Sequence, residues 1–134
     1  MTDMIDIAVV GAGPAGLSAA LHNVRQRWTS VIFDSGEHRN TTGEFYTIPG
    51  YDQVDPAKFR ADCRAQLTKR YAKYTTFVDK KVEKITKDDD EKGYFTLVDA
   101  DGKAWRAKKV VLATGIHDTL PDLEGYDKCW PTRM

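Results

Sequence analysis

Cysteine is scarce in this sequence: of 134 residues only Cys63 and Cys129 carry thiols, and they lie far apart. So few and so distant thiols exclude a disulfide scaffold and a local zinc knuckle, and they suit a reducing compartment, so the expected location is cytoplasmic. An excess of either charge is also missing, because 20 Lys and Arg balance 20 Asp and Glu. That balance gives no electrostatic footprint for nucleic acid or an anionic membrane surface, and neither partner is expected. No apolar run approaches the roughly 20 residues that cross a bilayer. The first apolar run begins at Ile5, so no signal or transit peptide is expected ahead of it. The length suits one domain with a real core.

What is present begins with Ile5 to Leu21, IDIAVVGAGPAGLSAAL. A short apolar run ends in three spaced glycines, and a stretch of small and apolar residues then reads as a helix. Gly11 lets the chain turn tightly out of the strand, Gly13 lets a pyrophosphate approach the main chain, and Gly16 lets the helix pack on the strand. Pro14 falls in the first turn, where its missing N–H costs nothing. The first helical amides lack intrahelical partners and suit a phosphate. Such a glycine pattern carries weight only between a strand and a helix. Both are expected here, and Ser30 to Phe33 reads as a second strand ending at Asp34. A carboxylate roughly 20 residues past the third glycine accepts hydrogen bonds from an adenosine ribose and repels a 2′-phosphate. Asp34 can alternatively start the turn at Ser35-Gly36.

Along the chain, Leu17, Leu21, Val24 and Trp28 give the first helix an apolar stripe. Thr41 to Asp55 reads as an irregular loop. Asp55-Pro56 opens a second helix, with Phe59, Cys63, Leu67 and Tyr71 recurring every four residues through Lys73. Cys63 on that stripe reads as a buried small hydrophobe, not a nucleophile. Thr76 to Val78 looks like a short strand. Lys81 to Ala107 reads as a three-stranded antiparallel meander, its hairpin turned at Asp101-Gly102. The acidic run Asp88 to Glu91 reads as a solvated turn, with a metal cluster as the alternative. Lys109 to Ala113 is a second apolar run suited to the inside of a parallel sheet, and it ends in Thr114-Gly115. The tail from Ile116 shows no period. The expected class is α/β: a Rossmann-like FAD/NAD(P)-binding domain over residues 1–134, a parallel sheet with the meander inserted at about 81–107.

In order, GAGPAGLSAAL, VIFDSGEHRN, a meander and VVLATGIHDTLPDLEGYDKCW resemble the FAD-binding part of thioredoxin-reductase-like flavoproteins, the class II pyridine nucleotide-disulfide oxidoreductases. The likeness runs from about Ile5 to Trp130 and is strongest to fungal members that include the dithiol oxidases of epidithiodiketopiperazine biosynthesis. The resemblance implies FAD as cofactor, with its pyrophosphate on Gly11, Gly13, Pro14, Ala15 and Gly16. It implies ribose binding by Asp34, lining by Ser35, Gly36, Glu37, His38 and Arg39, a backbone contact to adenine near Val82, and closure over the flavin by Ala113, Thr114 and Gly115. It further implies NADPH and a dithiol or disulfide substrate in a complete homologue, and a homodimer.

The departures from that pattern are specific. No CxxC follows Trp130, no second glycine-rich turn for NADPH is present, and Thr41 to Tyr46 lacks the His-rich stretch of the family's close members. Pro131 to Met134 fits the pattern poorly, and a truncated or misread chain is expected. No catalytic residue and no metal ligand is assigned; His22, His38 and His117 read as helix-surface and loop residues. The expectation is an FAD-binding flavoprotein oxidoreductase or its FAD-binding portion. Two alternatives stand beside it: a non-catalytic fragment, and a NAD-binding Rossmann protein, which Asp34 equally permits.

Overall fold

Six strands and two long helices build the fold, alternating only up to β3, in a computed structural model that describes residues 4–39, 43–89 and 92–129. Asn40, Thr41 and Thr42, the Asp90 and Glu91 part of the acidic run, and Trp130 with the tail to Met134 lie outside the described residues. The apolar run forms strand β1 (Ile5–Val10), and helix α1 (Pro14–Arg25) follows the glycine turn at once. Leu17, Ala20 and Val24 are buried along α1. The helix stops at Arg25, so Trp28 falls outside it and is 49% exposed, against the expected stripe. Strand β2 (Ser30–Phe33) is buried throughout.

The loop before helix α2 (Pro56–Arg70) is irregular as expected, apart from one bridge between Phe45 and Val54. Asp55 caps α2 by accepting a hydrogen bond from the Ala57 amide at 2.6 Å. The helix ends at Arg70, short of the expected Lys73, with Tyr71 as its C-cap. Strands β3 (Thr75–Val78), β4 (Val82–Lys87), β5 (Phe95–Asp99) and β6 (Ala104–Leu112) complete the sheet, and a short helix α3 (Tyr126–Cys129) lies in the segment read as patternless.

The sheet order is β3-β2-β1-β6-β5-β4. β2 pairs in parallel with β1 and β3, and β1 pairs in parallel with β6 from Ile5↔Ala107 to Val10↔Leu112. The architecture is therefore α/β and Rossmann-like, with the expected three-stranded antiparallel meander. The third strand of the meander is the first half of β6. Ala104 to Ala107 pairs antiparallel with β5, and the same strand runs on into the parallel pairing with β1. Ala107 joins the two modes, facing Phe95 on one side and Ile5 on the other. The apolar residues at 105 and 110–112 belong to one strand of 9 residues.

The core has two layers. Ile7, Val9 and Ile32 meet Leu17, Ala20 and Val24 of α1 and Phe59 and Leu67 of α2. On the other face Ala8, Val31 and Phe33 pack against Leu97, Trp105 and Ala107, so the meander curls across the parallel strands. Trp105 meets Phe33 edge-on, with ring centroids 5.7 Å apart. The carboxyl half of β6 is less enclosed than its hydrophobicity predicts, with Val110 and Val111 half-buried and Leu112 68% exposed. Among the described residues no strand pairs with its second edge beyond Ala107.

Candidate functional site

The parallel strands flank β1 on both sides, β2 reached through α1 on one side and β6, arriving from the meander, on the other. Ligands of open α/β sheets bind in the crevice at the carboxyl ends of such strands. A cleft of about 940 Å³ opens there.

Its floor is the turn after β1. Gly11 has φ of 109°, and a Cβ there would stand 2.2 Å from the carbonyl oxygen of Ala113. At Gly16 a Cβ would fall 1.8 Å from the Gly11 carbonyl oxygen. Both positions admit only glycine, since backbone would have to yield. Gly13 differs: its φ is −78° and nothing lies within 4 Å of a built Cβ. The protein leaves that space open in front of the first turn of α1, where Gly13 is the N-cap and makes no side-chain cap bond. Unpartnered amides and the positive end of the helix dipole suit an anion at that point. Pro14 also lines the cleft, whereas Ala15 is exposed and Gly16 is buried beneath the turn, both outside the lining.

The second wall is the loop after β2, with Asp34, Ser35, Gly36, Glu37, His38 and Arg39 all on the cleft. Asp34 takes the turn-starting role, for its Oδ1 accepts from the Gly36 amide at 2.9 Å. The Ser35 hydroxyl likewise accepts from the Glu37 amide at 3.2 Å. His38 Nε2 lies 3.5 Å from Asp34 Oδ1. Burial, reinforced by the Arg60 cation, holds His38 below the usual histidine range, while Asp34 opposes that shift. The third wall is the segment after β6. The Ala113 amide donates to the Val10 carbonyl at 2.8 Å, which sets Ala113, Thr114 and Gly115 beside the glycine turn. Val82 joins the cleft from the start of β4.

Several cleft residues escaped the sequence reading. One is Asp118, whose carboxylate accepts from Nε and Nη2 of the expected Arg39 at 2.7 and 3.2 Å, tying the loop after β2 to the segment after β6. This pairing holds the Asp118 carboxyl below its ordinary range. Arg60, Lys80, Lys81 and His117 add cationic or titratable groups, and Phe45 an apolar one. Behind Asp34, Arg64 donates to both oxygens of Asp79 at 2.5 and 2.8 Å and lies over the Phe77 ring at 4.4 Å. Signals for these existed. Arg60 and Arg64 each follow a stripe residue of α2 by one position, and Asp79 follows β3 as Asp34 follows β2.

Cys63 packs half-buried against the helix-side core, and burial pushes its thiol pKa up, which disfavours the thiolate. Asp88 accepts from Arg106 at 2.7 Å and from the Thr96 hydroxyl at 2.9 Å. Among the described residues no group of three His, Cys, Asp or Glu side chains could hold a metal ion, and no helix is long and apolar enough to cross a membrane.

The residue pattern of the family described as pyridine nucleotide-disulphide oxidoreductase matches residues 5–133. The chain belongs to that family. A thioredoxin reductase of Claviceps purpurea is 39% identical over 96% of this chain and 40% of the relative, and one of Aspergillus oryzae is 41% identical over 96% and 40%. The chain therefore spans about two-fifths of the length of the curated relatives it matches. Among solved structures HlmI superposes with a TM-score of 0.86 at 31% identity, covering 97% of this chain and 41% of HlmI. An oxidoreductase from Agrobacterium tumefaciens gives 0.83 at 29% identity, over 96% and 41%.

Proposed function

We propose that the chain is the FAD-binding domain of a thioredoxin-reductase-like flavoprotein oxidoreductase. The observation that carries the reading is the open space in front of Gly13, beside two glycines that packing alone demands. Nothing in the fold requires a glycine at position 13, whereas a pyrophosphate against the main chain does. In this reading the turn at Gly11, Gly13, Pro14, Ala15 and Gly16 supplies the phosphate site, and Asp34 accepts from the adenosine ribose. Ser35 to Arg39 line the adenosine side, Val82 offers its backbone to the adenine, and Ala113 to Gly115 flank the flavin. Bound FAD supplies two-electron transfer between a nicotinamide and a disulfide or dithiol. This chain's residues bind, orient and enclose it. NADPH, the dithiol or disulfide substrate and a homodimer are proposed for the longer relatives' reaction, since the sequence holds no CxxC and no second glycine turn.

The test is the visible spectrum of the purified chain after incubation with excess FAD and desalting. Flavin bands are expected to remain with the wild type and vanish in Gly13→Val, with the far-ultraviolet circular dichroism of the two alike. A folded but colourless wild type overturns FAD and turns attention to NAD, which enhanced NADH fluorescence would reveal.

A second reading, a non-catalytic fragment that requires a further strand, is favoured by the edge of Lys109 to Leu112, which no strand among the described residues pairs, and by the exposure of Leu112. A cooperative, monomeric chain that keeps flavin argues against it.

A further inference from the structure

The geometry behind β2 points to Arg64 as a positioning residue for the ribose-binding carboxylate, an inference that rests on the dinucleotide reading of the cleft. We propose that Arg64, clamped by Asp79 and Phe77, holds Asp34 through its field while leaving the Asp34 Oδ2 atom unbonded for ribose hydroxyls.

Asp34 and Asp79 sit one residue past the ends of the adjacent parallel strands β2 and β3, which pair up to Phe33↔Val78. Two carboxylates on neighbouring strand ends need a cation between them. Arg64, on α2 above this edge, is that cation, and its fork is committed. Nη1 and Nη2 both bond Asp79, at 2.5 and 2.8 Å, and the guanidinium rests on Phe77. A bidentate pair and a stacked ring fix its orientation. From that position Nη1 reaches only to 3.9 Å from Asp34 Oδ2, too far for a hydrogen bond but close enough to attract. Asp34 Oδ1 is meanwhile occupied by the Gly36 amide. One oxygen is tied down by the turn, and the other is steadied without being consumed.

The test uses ADP and 2′,3′-dideoxy-ADP as calorimetric ligands of the wild type, Arg64→Gln and Asp79→Ala. Loss of a hydrogen-bonded charge contact costs about tenfold in affinity. Arg64→Gln is expected to weaken ADP about tenfold and leave dideoxy-ADP unchanged, because only ADP presents the hydroxyls. In Asp79→Ala the released guanidinium closes on Asp34 and occupies Oδ2. ADP again weakens selectively, and this substitution sits at a side chain 67% exposed, so folding is spared. Equal weakening of both nucleotides would mean a merely structural role, and unchanged ADP binding in both variants no role; either overturns the proposal alone. A wild type that binds neither nucleotide overturns the dinucleotide reading, and the role of Arg64 with it.

Discussion

The two sides of the cleft are built by different means. The turn after β1 is made of backbone, with no charged side chain, and its two packing glycines leave no room for any other residue. The corner after β2 is made of side chains from three separate segments, Asp34, Arg64 and Asp79, with Arg39 and Asp118 clasping the rim beyond. A steric site is rigid and intolerant of change. A charged site is adjustable, and each of its contacts is separately removable. In the proposed dinucleotide reading the first sets where the ligand lies, and the second decides which ligand it is.

The sharpest break of this contrast comes from Gly16→Ala, whose Cβ has nowhere to go. It is expected to cost more than about 3 kcal/mol and to abolish cooperative thermal unfolding, whatever ligand is added. Gly13→Val, at the one turn position with open space, is expected to leave the melting temperature unchanged. Next in size is Asp34→Asn, which should leave the fold intact and reduce ADP affinity by about tenfold to a hundredfold in calorimetry.

Acid separates the two regions in another way, since glycines do not titrate and the carboxylates do. Asp99 is buried and accepts from Trp105 Nε1 at 2.9 Å and from the Lys103 and Asp101 amides at 3.0 Å. These bonds, the Trp105 one foremost, hold its carboxyl below the ordinary range. Asp6 beside Lys108 and Asp79 beside Arg64 are lowered too. A folded pKa below the unfolded one means that the unfolded chain takes up protons first. The stabilisation is therefore complete above the unfolded value of about 3.9 and fades as the pH falls through the lower folded values. Melting temperatures measured downward from pH 5 should hold until about pH 4 and then drop, and Trp105→Phe should shrink the drop by removing the main cause at Asp99. Least affected is Arg39→Ala: an exposed pair contributes little, so the melting temperature should stay within error while FAD retention becomes less salt-sensitive.

The glycine turn and Asp34 were legible because each is a local code. A strand, three spaced glycines and a helix follow one another in the chain, and steric demands act between near neighbours. The meander was legible as three strands but not as part of the main sheet. The pattern at Ala104 to Ala107 alternates and that at Val110 to Leu112 does not, so the stretch divides in sequence into two strands. Its continuity at Ala107 follows from having β5 on one side and β1 on the other, which periodicity does not report. Arg39 with Asp118, and Arg64 with Asp79, are charges far apart in the chain, for which sequence offers no preferred partner.

By itself the sequence determined the α/β class, the turn that only glycine can make at Gly11 and Gly16, and a carboxylate at the tip of β2. Those features depend on φ, Cβ volume and residue period, all properties of a residue and its immediate neighbours. The tertiary structure alone decided that β6 serves two pairings, that the meander covers the face of Phe33, and that Arg64 stands between Asp34 and Asp79. Those depend on strand order, because charges and rings distant in the chain meet only after β3, β2, β1 and β6 have taken their places side by side.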